Sequence, residues 1–316
     1  MIVTVLNEAG SLPALLDSIA AQERPPDEVV IVDGGSTDGT PAVLERYRHQ
    51  LPLTIVQRPG CNISQGRNAA IEAATGEVIA ATDAGVRLEP AWLKELLRPF
   101  ARKDCDAIVC GFFVADTSTT FERAMGATVL PNVEDVGPAT FLPSSRSVAF
   151  PKKAWRETGG YPEWLDYCED LVFDIRLKQA GYPFLWTPKA LVHFRPRSSL
   201  GAFFRQYYRY SRGDGKANLW LRRHLIRYAS YGAGALLIVL GFWLWPLWAL
   251  FLLGAFGHLY WPYQRLWPTL KDLPFLERIK AILWVPVIRV TGDIAKMVGY
   301  PAGLWWRLRH RDEARW

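Results

Sequence analysis

The stretch from Val29 to Thr40 constrains the fold more than any other part of the chain. It reads Val-Val-Ile-Val-Asp-Gly-Gly-Ser-Thr-Asp-Gly-Thr. Four consecutive β-branched residues predict a short strand that is buried on both faces and ends at Asp33. The two glycines allow a sharp turn, and Thr40 followed by Pro41 predicts the start of a helix. Asp33 is therefore expected at the carboxyl end of a strand, where open α/β sheets bind their ligands.

The same alternation of strand and helix continues through the first two thirds of the chain. A second acid, Asp83, follows another apolar segment that resembles the first. Apolar runs predict strands at 2–6, 29–32, 53–57, 77–82, 107–114, 146–150, 185–186 and 191–194. Amphipathic segments between several of them, such as 90–103, predict helices. The pattern predicts an α/β protein with a parallel-rich sheet and helices on both faces.

The last third of the chain differs in charge and hydropathy. Residues 1–190 carry 18 Lys and Arg against 25 Asp and Glu, whereas residues 191–316 carry 19 against 6. Because this basic part also holds the longest apolar run, it favours contact with anionic lipid over contact with nucleic acid. The first strand begins almost at Met1, so we expect no signal peptide and a start that is trimmed relative to related proteins.

The apolar run from Tyr228 to Gln264 contains no Asp, Glu, Lys or Arg in 37 residues. A single helix of that length would extend about 55 Å, against a hydrocarbon core of about 30 Å. Pro246 lies near its middle among tryptophans, so the run predicts a transmembrane hairpin of two helices. Basic residues flank both ends and predict that both ends face the cytosol. A buried hairpin in a soluble domain is the alternative.

A second apolar segment, 281–306, is interrupted by Arg289, Asp293 and Lys296. Their spacing places the three charges on one helical face, which is typical of an amphipathic helix lying in the membrane interface. A basic tail follows and suits anionic head groups. The predicted domains are an α/β domain over 1–215, a basic linker and transmembrane hairpin over 216–265, and a linker, interfacial helix and basic tail over 266–316.

A series of short motifs over about residues 1–215 resembles the family 2 glycosyltransferases of the GT-A fold. They are Val-Thr-Val-Leu-Asn-Glu at the start, Val-Asp-Gly-Gly-Ser-Thr-Asp-Gly-Thr, Gly66-Arg67-Asn68, Thr82-Asp83-Ala84-Gly85, and Gly-Gly-Tyr…Glu-Asp…Arg…Ala-Gly-Tyr…His from Gly159 to His193. The resemblance implies a Rossmann-like GT-A domain that transfers a sugar, with inversion, from a nucleotide-diphosphate donor to an acceptor hydroxyl or phosphate.

The resemblance also implies which residues bind the donor. Glu8 and Asp33 are expected to accept hydrogen bonds from its base and ribose, and Arg67 and Asn68 to face its phosphates or sugar. Arg67 could equally be a solvated helix charge. Asp33 suits the imide N–H of uracil, which favours UDP, although guanine could also donate there.

A metal site is implied less completely. Asp83 matches the first acid of the family's Asp-x-Asp motif, but Gly85 replaces the second acid. His193 matches a histidine that binds metal or phosphate in several GT-A enzymes, and a core histidine is the alternative. One carboxylate with substrate phosphates can hold Mg²⁺, so we expect Mg²⁺ or Mn²⁺ at Asp83.

The acceptor side of the site is implied by two further matches. Asp170 resembles the general base of the family, and Glu169 beside it is expected near the acceptor. Two acids that favour the dipole of a helix are the alternative. Gln206-Tyr207-Tyr208-Arg209-Tyr210 matches a Gln-x-x-Arg-Trp pattern that contacts acceptor sugar and diphosphate, so Gln206 and Arg209 are expected to bind the acceptor. A helix that anchors the domain at the membrane is the alternative.

The sequence thus predicts an inverting glycosyltransferase on the cytosolic face of the cell inner membrane. Its acceptor is lipid-linked or a glycan, and nucleic acid is not a partner. A polyprenyl-phosphate sugar transferase is one alternative, because its acceptor phosphate needs no base. A non-catalytic membrane protein that binds sugar is another, and Gly85 keeps it open. A processive synthase is disfavoured because one hairpin and one interfacial helix line no channel. No GxGxxG motif opens a helix, which argues against an oxidoreductase.

Overall fold

A computed structural model describes residues 1–102 and 105–310 of the chain. They form two compact units. The first unit comprises Met1–Asp116 and Val133–Arg195, and the second comprises Thr117–Asn132 and the chain from Pro196 onward. In chain order the strands and α-helices are β1 (Ile2–Val5), α1 (Leu12–Ala20), β2 (Val29–Asp33), α2 (Thr40–Tyr47), β3 (Leu53–Gln57), α3 (Ile63–Ala73), β4 (Val78–Ala81), β5 (Val86–Leu88), α4 (Trp92–Leu97), β6 (Ile108–Ala115), α5 (Thr120–Val129), β7 (Val148–Pro151), α6 (Lys152–Glu157), α7 (Glu169–Gln179), β8 (Phe184–Phe194), α8 (Leu200–Ala217), α9 (Leu221–Gly241), α10 (Pro246–Leu266) and α11 (Phe275–Arg309).

The first unit is built on one mixed sheet of eight strands in the order β3-β2-β1-β4-β7-β6-β8-β5. Strands β3, β2, β1 and β4 are mutually parallel, and β6 and β8 are parallel to each other. Strands β7 and β5 run antiparallel to their neighbours. The predicted α/β class with a parallel-rich mixed sheet is confirmed.

The sheet is covered on both faces, as the apolar run in β2 predicts. Val29 and Ile31 point to one side of the sheet, into a core shared with α1, α2 and α4. Val30 and Val32 point to the other side, into a core shared with α3, α6 and α7. Because successive side chains of a strand alternate between faces, a strand with two buried faces is apolar throughout.

Four elements of the first unit differ from the sequence prediction. Strand β5 is only three residues long, and helix α6 only six. The two short strands predicted at 185–186 and 191–194 form one continuous strand, β8, with an irregularity where it pairs β6. The helix predicted over 90–103 ends as an α-helix at Leu97, and its last predicted residue lies outside the described part of the chain.

The second unit is helical, and two of its helices, α8 and α11, approach closely through glycines. A Cβ on Gly299 would lie 2.3 Å from the carbonyl oxygen of Tyr208, and one on Gly303 would lie 2.1 Å from that of Arg212. No side chain fits at those distances. Helix α8 therefore belongs to the second compact unit, whereas the predicted α/β domain over 1–215 includes it; that domain division stays a prediction.

Helices α9 and α10 form the predicted hairpin, with its turn at residues 242–245. Within residues 1–102 and 105–310, the structure contains no helix that combines the length and the apolarity needed to cross a membrane. The prediction of two transmembrane helices is therefore not supported.

Helix α11 is longer than the predicted interfacial helix, and its charged face contacts other helices. It extends for 35 residues. Arg289, Asp293 and Lys296 do lie on one face, but that face is turned towards α9 and α10, and Asp293 is only 2% exposed. The expectation of a polar face directed at solvent or head groups is corrected here, because Arg227 from α9 and His258 from α10 bind the Asp293 carboxylate.

Candidate active site

Several sequence-predicted acids lie at one edge of the sheet in the first unit. Because β1, β2 and β4 are parallel, their carboxyl ends meet there. Asp33 is the last residue of β2, and Asp83 follows β4 by two positions. Strand β7 is antiparallel to β4, so Arg146, just before β7, lies at the same edge. The Thr82 hydroxyl donates to the Arg146 carbonyl at 2.9 Å.

Arg67 joins acids that are far apart in sequence. From helix α3, its Nη2 donates to Asp83 Oδ1 at 2.8 Å, and its Nη1 donates to the carboxylate of Glu169. The guanidinium lies 5.3 Å from the centre of the Tyr161 ring, and the Arg67 side chain is only 4% exposed. Arg67 is thus a buried bridge between two carboxylates and not a solvated helix charge.

A second arginine, Arg146, approaches the other oxygen of Asp83. Its Nε lies 3.4 Å from Asp83 Oδ2. Its guanidinium carbon lies 4.4 Å from the centre of the Phe194 ring and 5.6 Å from that of Phe113, which holds the planar group in place. Five residues make up this group, which we term the acid–arginine cluster: Arg67, Asp83, Arg146, Glu169 and Asp170.

The cluster contains three carboxylates and two guanidinium groups. Burial raises the pKa of Glu169 to about 7, and the nearby Arg67 charge opposes this rise while Asp170 adds to it. Burial lowers the pKa of Arg67, but Asp83 and Glu169 outweigh burial and raise it, so the guanidinium stays charged. Burial is thus the main reason why the Glu169 carboxyl group holds its proton to a higher pH than an ordinary glutamate.

Among the acids of helix α7, Asp170 is the one that is partly exposed. Helix α7 begins immediately after Cys168, which adopts a left-handed conformation with a φ of 65°. Glu169 and Asp174 on this helix are buried, and burial raises the pKa of Asp174 well above its usual value. Asp170 is partly exposed, and its carboxylate accepts the N–H of Leu171 at 2.9 Å. An exposed acid beside a buried bridge is a reasonable position for a general base.

Asn68 has a structural role in the first unit, and its contact with the donor stays a prediction. Its Oδ1 accepts the Tyr161 N–H at 3.0 Å and the Trp155 Nε1–H at 2.9 Å. Its Nδ2 donates to the Tyr161 carbonyl at 2.9 Å and to Glu163 at 3.0 Å. Both polar atoms of the amide are therefore occupied in fixing the turn at Gly160, whose φ is 67°.

Asp33 and Glu8 both take part in loop structure at the sheet edge. Asp33 is 1% exposed, and its Oδ1 accepts the N–H of Gly35 at 3.1 Å and both the N–H and the hydroxyl of Ser36 at 2.8 and 2.7 Å. Its Oδ2 accepts one long bond, 3.4 Å, from Gln57. The Glu8 carboxylate accepts the hydroxyl of Ser11 at the start of α1. Donor binding by these two acids stays a prediction.

The residues at the predicted metal site do not fit a divalent cation held by the protein. His193 hydrogen-bonds Glu89. The next residue, Phe194, packs its ring against Arg146, the arginine that pairs with Asp83. Because successive side chains of a strand point to opposite faces, the His193 imidazole lies on the other face of β8 from Arg146. Over the described residues, no three His, Cys, Asp or Glu side chains come together as metal ligands. The predicted pairing of Asp83 with His193 around a metal is not found.

The predicted acceptor residues Gln206 and Arg209 lie in the second unit. Both are on α8, one turn apart as the sequence predicts, and the Gln206 amide donates to the Tyr210 hydroxyl at 2.9 Å. This confirms the helix. Their contact with an acceptor stays a prediction.

Sequence reasoning missed Arg146 as a member of the site. Its local sequence, Ser-Ser-Arg-Ser, carries no motif. The only available signal was its position as the first residue of the strand predicted over 146–150. That signal becomes informative once β7 is known to pair antiparallel with β4, because this pairing brings the start of one strand beside the end of the other.

The first unit has a mixed sheet with acids at the carboxyl ends of its parallel strands. Comparison with models of known protein families shows which class of enzyme has this architecture. The family model described as Glycosyl transferase family group 2 matches residues 78–284, and that described as Glycosyl transferase family 2 matches residues 1–152. The chain therefore belongs to the family 2 glycosyltransferases, and it is an enzyme that transfers sugars.

Relatives of known or assigned role support this membership. The succinoglycan biosynthesis protein ExoA of Rhizobium meliloti is 27% identical over 68% of this chain and 68% of its own length. The putative glycosyltransferase EpsH of Bacillus subtilis is 28% identical over 40% of this chain, and the match spans only 38% of EpsH. The O-antigen chain rhamnosyltransferase RfbN of Salmonella typhimurium is 23% identical over 65% of this chain and 69% of RfbN.

Solved structures share the fold at low sequence identity. The mannosyltransferase PcManGT from Pyrobaculum calidifontis, in complex with GDP-Man and Mn²⁺, is 18% identical with a TM-score of 0.55, over 98% of this chain and 86% of that one. TarS residues 1–349 from S. aureus, in complex with UDP-GlcNAc, is 17% identical with a TM-score of 0.50, over 98% of this chain and 91% of that one.

Proposed function

We propose that this protein transfers a sugar, with inversion, from a nucleotide-diphosphate donor to a lipid-linked or glycan acceptor, and that Asp170 is its general base. One observation carries the proposal. Arg67 ties Glu169, the residue next to Asp170, to Asp83 at the end of β4. Two acids that lie in distant parts of the sequence are thereby held around one guanidinium.

The proposed roles follow from the requirements of an inverting displacement. The attacking hydroxyl must lose a proton on the side of the sugar opposite the departing diphosphate. A carboxylate that is partly exposed and fixed at the start of a helix meets this need, and Asp170 is such a group. Arg67 and Glu169 hold the start of α7 against the edge of the sheet, so they position Asp170 and do not themselves take the proton.

The relatives suggest the classes of donor and acceptor. PcManGT was solved with GDP-Man, and a TarS fragment with UDP-GlcNAc. The names of ExoA and RfbN refer to succinoglycan and O-antigen chain synthesis. We therefore propose a nucleotide sugar as donor, with UDP favoured by Asp33, and a growing cell-envelope polysaccharide or its lipid-linked precursor as acceptor. PcManGT holds Mn²⁺, but the residues of this chain do not fit such an ion, so no step is assigned to a metal.

The exposed surface of the hairpin supports a further part of the proposal, that the enzyme works at the inner membrane with its catalytic unit in the cytosol. Phe242, Trp243, Leu244 and Trp245 at the turn between α9 and α10 are each between 59% and 79% exposed. The hairpin sequence from 228 to 264 carries no Asp, Glu, Lys or Arg. Contiguous apolar surface rich in tryptophan is typical of proteins that contact lipid.

A donor screen tests the proposed activity. The purified full-length chain is incubated with UDP-, GDP- and dTDP-sugars, with and without a lipid extract as acceptor, and release of the nucleoside diphosphate is measured. We expect one donor class to be consumed and its consumption to rise when acceptor is present. Failure of every donor to turn over, together with tight binding of free sugar, would instead indicate a non-catalytic binding protein.

A further inference from the structure

The site of the first unit lacks the second acid of a metal motif and carries arginines where a cation would be held. Position 85 is glycine, and a Cβ built there meets no atom within 4 Å, so the space that a second acid would occupy is open. Both oxygens of Asp83 face guanidinium groups, Oδ1 that of Arg67 and Oδ2 that of Arg146. A divalent cation on Asp83 would have to displace, or lie beside, the two guanidinium groups that already occupy both of its carboxylate oxygens.

The same arrangement is complementary to an anion. A guanidinium binds phosphate oxygens through parallel N–H donors and keeps its charge at any physiological pH. The Arg67 side chain is only 4% exposed, whereas that of Arg146 is 18% exposed, contacts the Phe113 and Phe194 rings and donates from Nη1 to the Ser144 hydroxyl at 3.4 Å. Of the two, Arg146 is therefore the group that can meet a ligand, and Arg67 can only hold Asp83 in place.

We propose that Arg146 binds the diphosphate of the donor and stabilises it as the leaving group, in place of a divalent cation. Asp83 orients Arg146 through its Oδ2, and Arg67 fixes Asp83 through its Oδ1. This inference rests on the proposed function, because it concerns the nucleotide-diphosphate part of the same site. As the bond between the sugar and the diphosphate breaks, the electron pair goes to the diphosphate oxygen, whose growing negative charge faces the guanidinium.

Nucleotide binding with and without metal tests the inference. Binding of UDP and of GDP to the full-length chain is measured by calorimetry in EDTA and in Mn²⁺. We expect the same affinity in both conditions, and a loss of about tenfold or more for Arg146→Ala. Arg98→Ala, which removes an exposed arginine of the same unit, is the control and is expected to bind like wild type.

The outcomes separate this inference from the proposed function. Binding that requires Mn²⁺ would overturn the role of Arg146 in place of a metal and leave the transferase proposal intact. Absence of any nucleotide binding in both conditions would contradict the proposed function, and the inference with it. If Arg146→Ala does not fold, the comparison of EDTA with Mn²⁺ in wild type still decides the question, and Arg146→Lys tests the charge without the planar fork.

Restoring the second acid provides an independent test. The open space at Gly85 admits a side chain, so Gly85→Asp should create a two-carboxylate site with Asp83. We expect this variant alone to bind nucleotide more tightly in Mn²⁺ than in EDTA, and to bind Mn²⁺ itself in electron paramagnetic resonance titrations. Gly85→Asn is the matched control without charge. Equal behaviour of Gly85→Asp and wild type in both conditions would overturn the assignment of Gly85 as the reason for metal independence.

Discussion

Glu169 and Arg67 show how a single buried ion pair can organise a site at the scale of the residue. Glu169 is not accessible to substrate, yet its carboxylate fixes the position of the residue beside it by binding Arg67. Arg67 in turn binds Asp83. Removing a member of such a network leaves a buried charge without its partner, which costs more than the contact itself contributes.

The raised pKa of Glu169 predicts a pH-dependent stability. A carboxyl group whose pKa is about 7 in the folded state, against about 4.3 in the unfolded state, favours folding most below pH 4.3 and loses that contribution as pH rises through 7. We expect the free energy of unfolding of wild type, minus that of Glu169→Gln, to fall by about 1 to 3 kcal/mol between pH 5 and pH 8. Urea denaturation over this pH range measures it, and a difference that does not change with pH would contradict the account.

The sequence indicated most of the acid–arginine cluster, but it did not indicate every role. Asp83, Arg67, Glu169 and Asp170 were all predicted as site residues, since each belongs to a motif. The sequence could not show that Asn68, one position from Arg67, is saturated by its own turn. It also gave no motif for Arg146, whose place depends on strand pairing and not on its neighbours along the chain.

At the scale of elements, the sequence predicted the alternation of strands and helices but did not predict the shortest elements. Long apolar runs such as β2 need burial on both faces, which leaves a strong pattern. Strand β5 has three residues and is held by pairing with β8, more than 100 positions away. A segment so short carries too few side chains to show a period, so its conformation is decided by its partner.

Helix α11 shows the same limit for charged residues. Arg289, Asp293 and Lys296 were correctly placed on one face, but solvent and a buried partner produce the same pattern in sequence. The Asp293 carboxylate lies 2.9 Å from Arg227 Nε and 3.0 Å from His258 Nε2. Burial alone would raise the pKa of Asp293, and its hydrogen bond to His258 and the three nearby cations instead hold that pKa well below the usual value.

The ion pairs around Asp293 predict that its replacement has a large effect on the stability of the helical unit. Replacing Asp293 by Asn removes the carboxylate that Arg227, Arg289 and Lys296 share, and we expect a loss of about 3 kcal/mol in the free energy of unfolding. Tryptophan fluorescence during urea denaturation measures the change. Asp272→Asn, at an exposed aspartate of the same unit, is the control and is expected to be neutral. Equal midpoints for the two variants would show that the Asp293 cluster does not stabilise the fold.

At the scale of the whole molecule, the uneven charge and the apolar hairpin surface bear on where the enzyme works. Residues 191–316 carry the excess of Lys and Arg that the first 190 residues lack. Positive charge attracts anionic lipid, and exposed tryptophan inserts at the level of the head groups. The two features occur in the same part of the sequence, so we expect residues 191–316 to make the contact with lipid.

The hairpin turn predicts a loss of lipid binding in a double variant. Trp243→Ser with Trp245→Ser removes two large apolar side chains that are 76% and 79% exposed. We expect co-sedimentation with vesicles that contain anionic lipid to fall at least about tenfold, since each such group contributes about 1.5 kcal/mol or more when buried. Trp267→Ser, at an exposed tryptophan outside the turn, is the control. Unchanged sedimentation of the double variant would exclude the turn as the lipid contact.

The claim on which the account depends is that Asp170 removes the acceptor proton. The most direct measurement is the rate of sugar transfer, followed as nucleoside diphosphate release in the presence of acceptor, for Asp170→Asn against wild type. Asp106→Asn, at an exposed acid of the same unit, is the control. We predict a fall of about 10²- to 10⁴-fold for Asp170→Asn, with donor binding unchanged. Transfer at the wild-type rate by Asp170→Asn would contradict the account and would indicate an acceptor that is already ionised, such as a lipid phosphate.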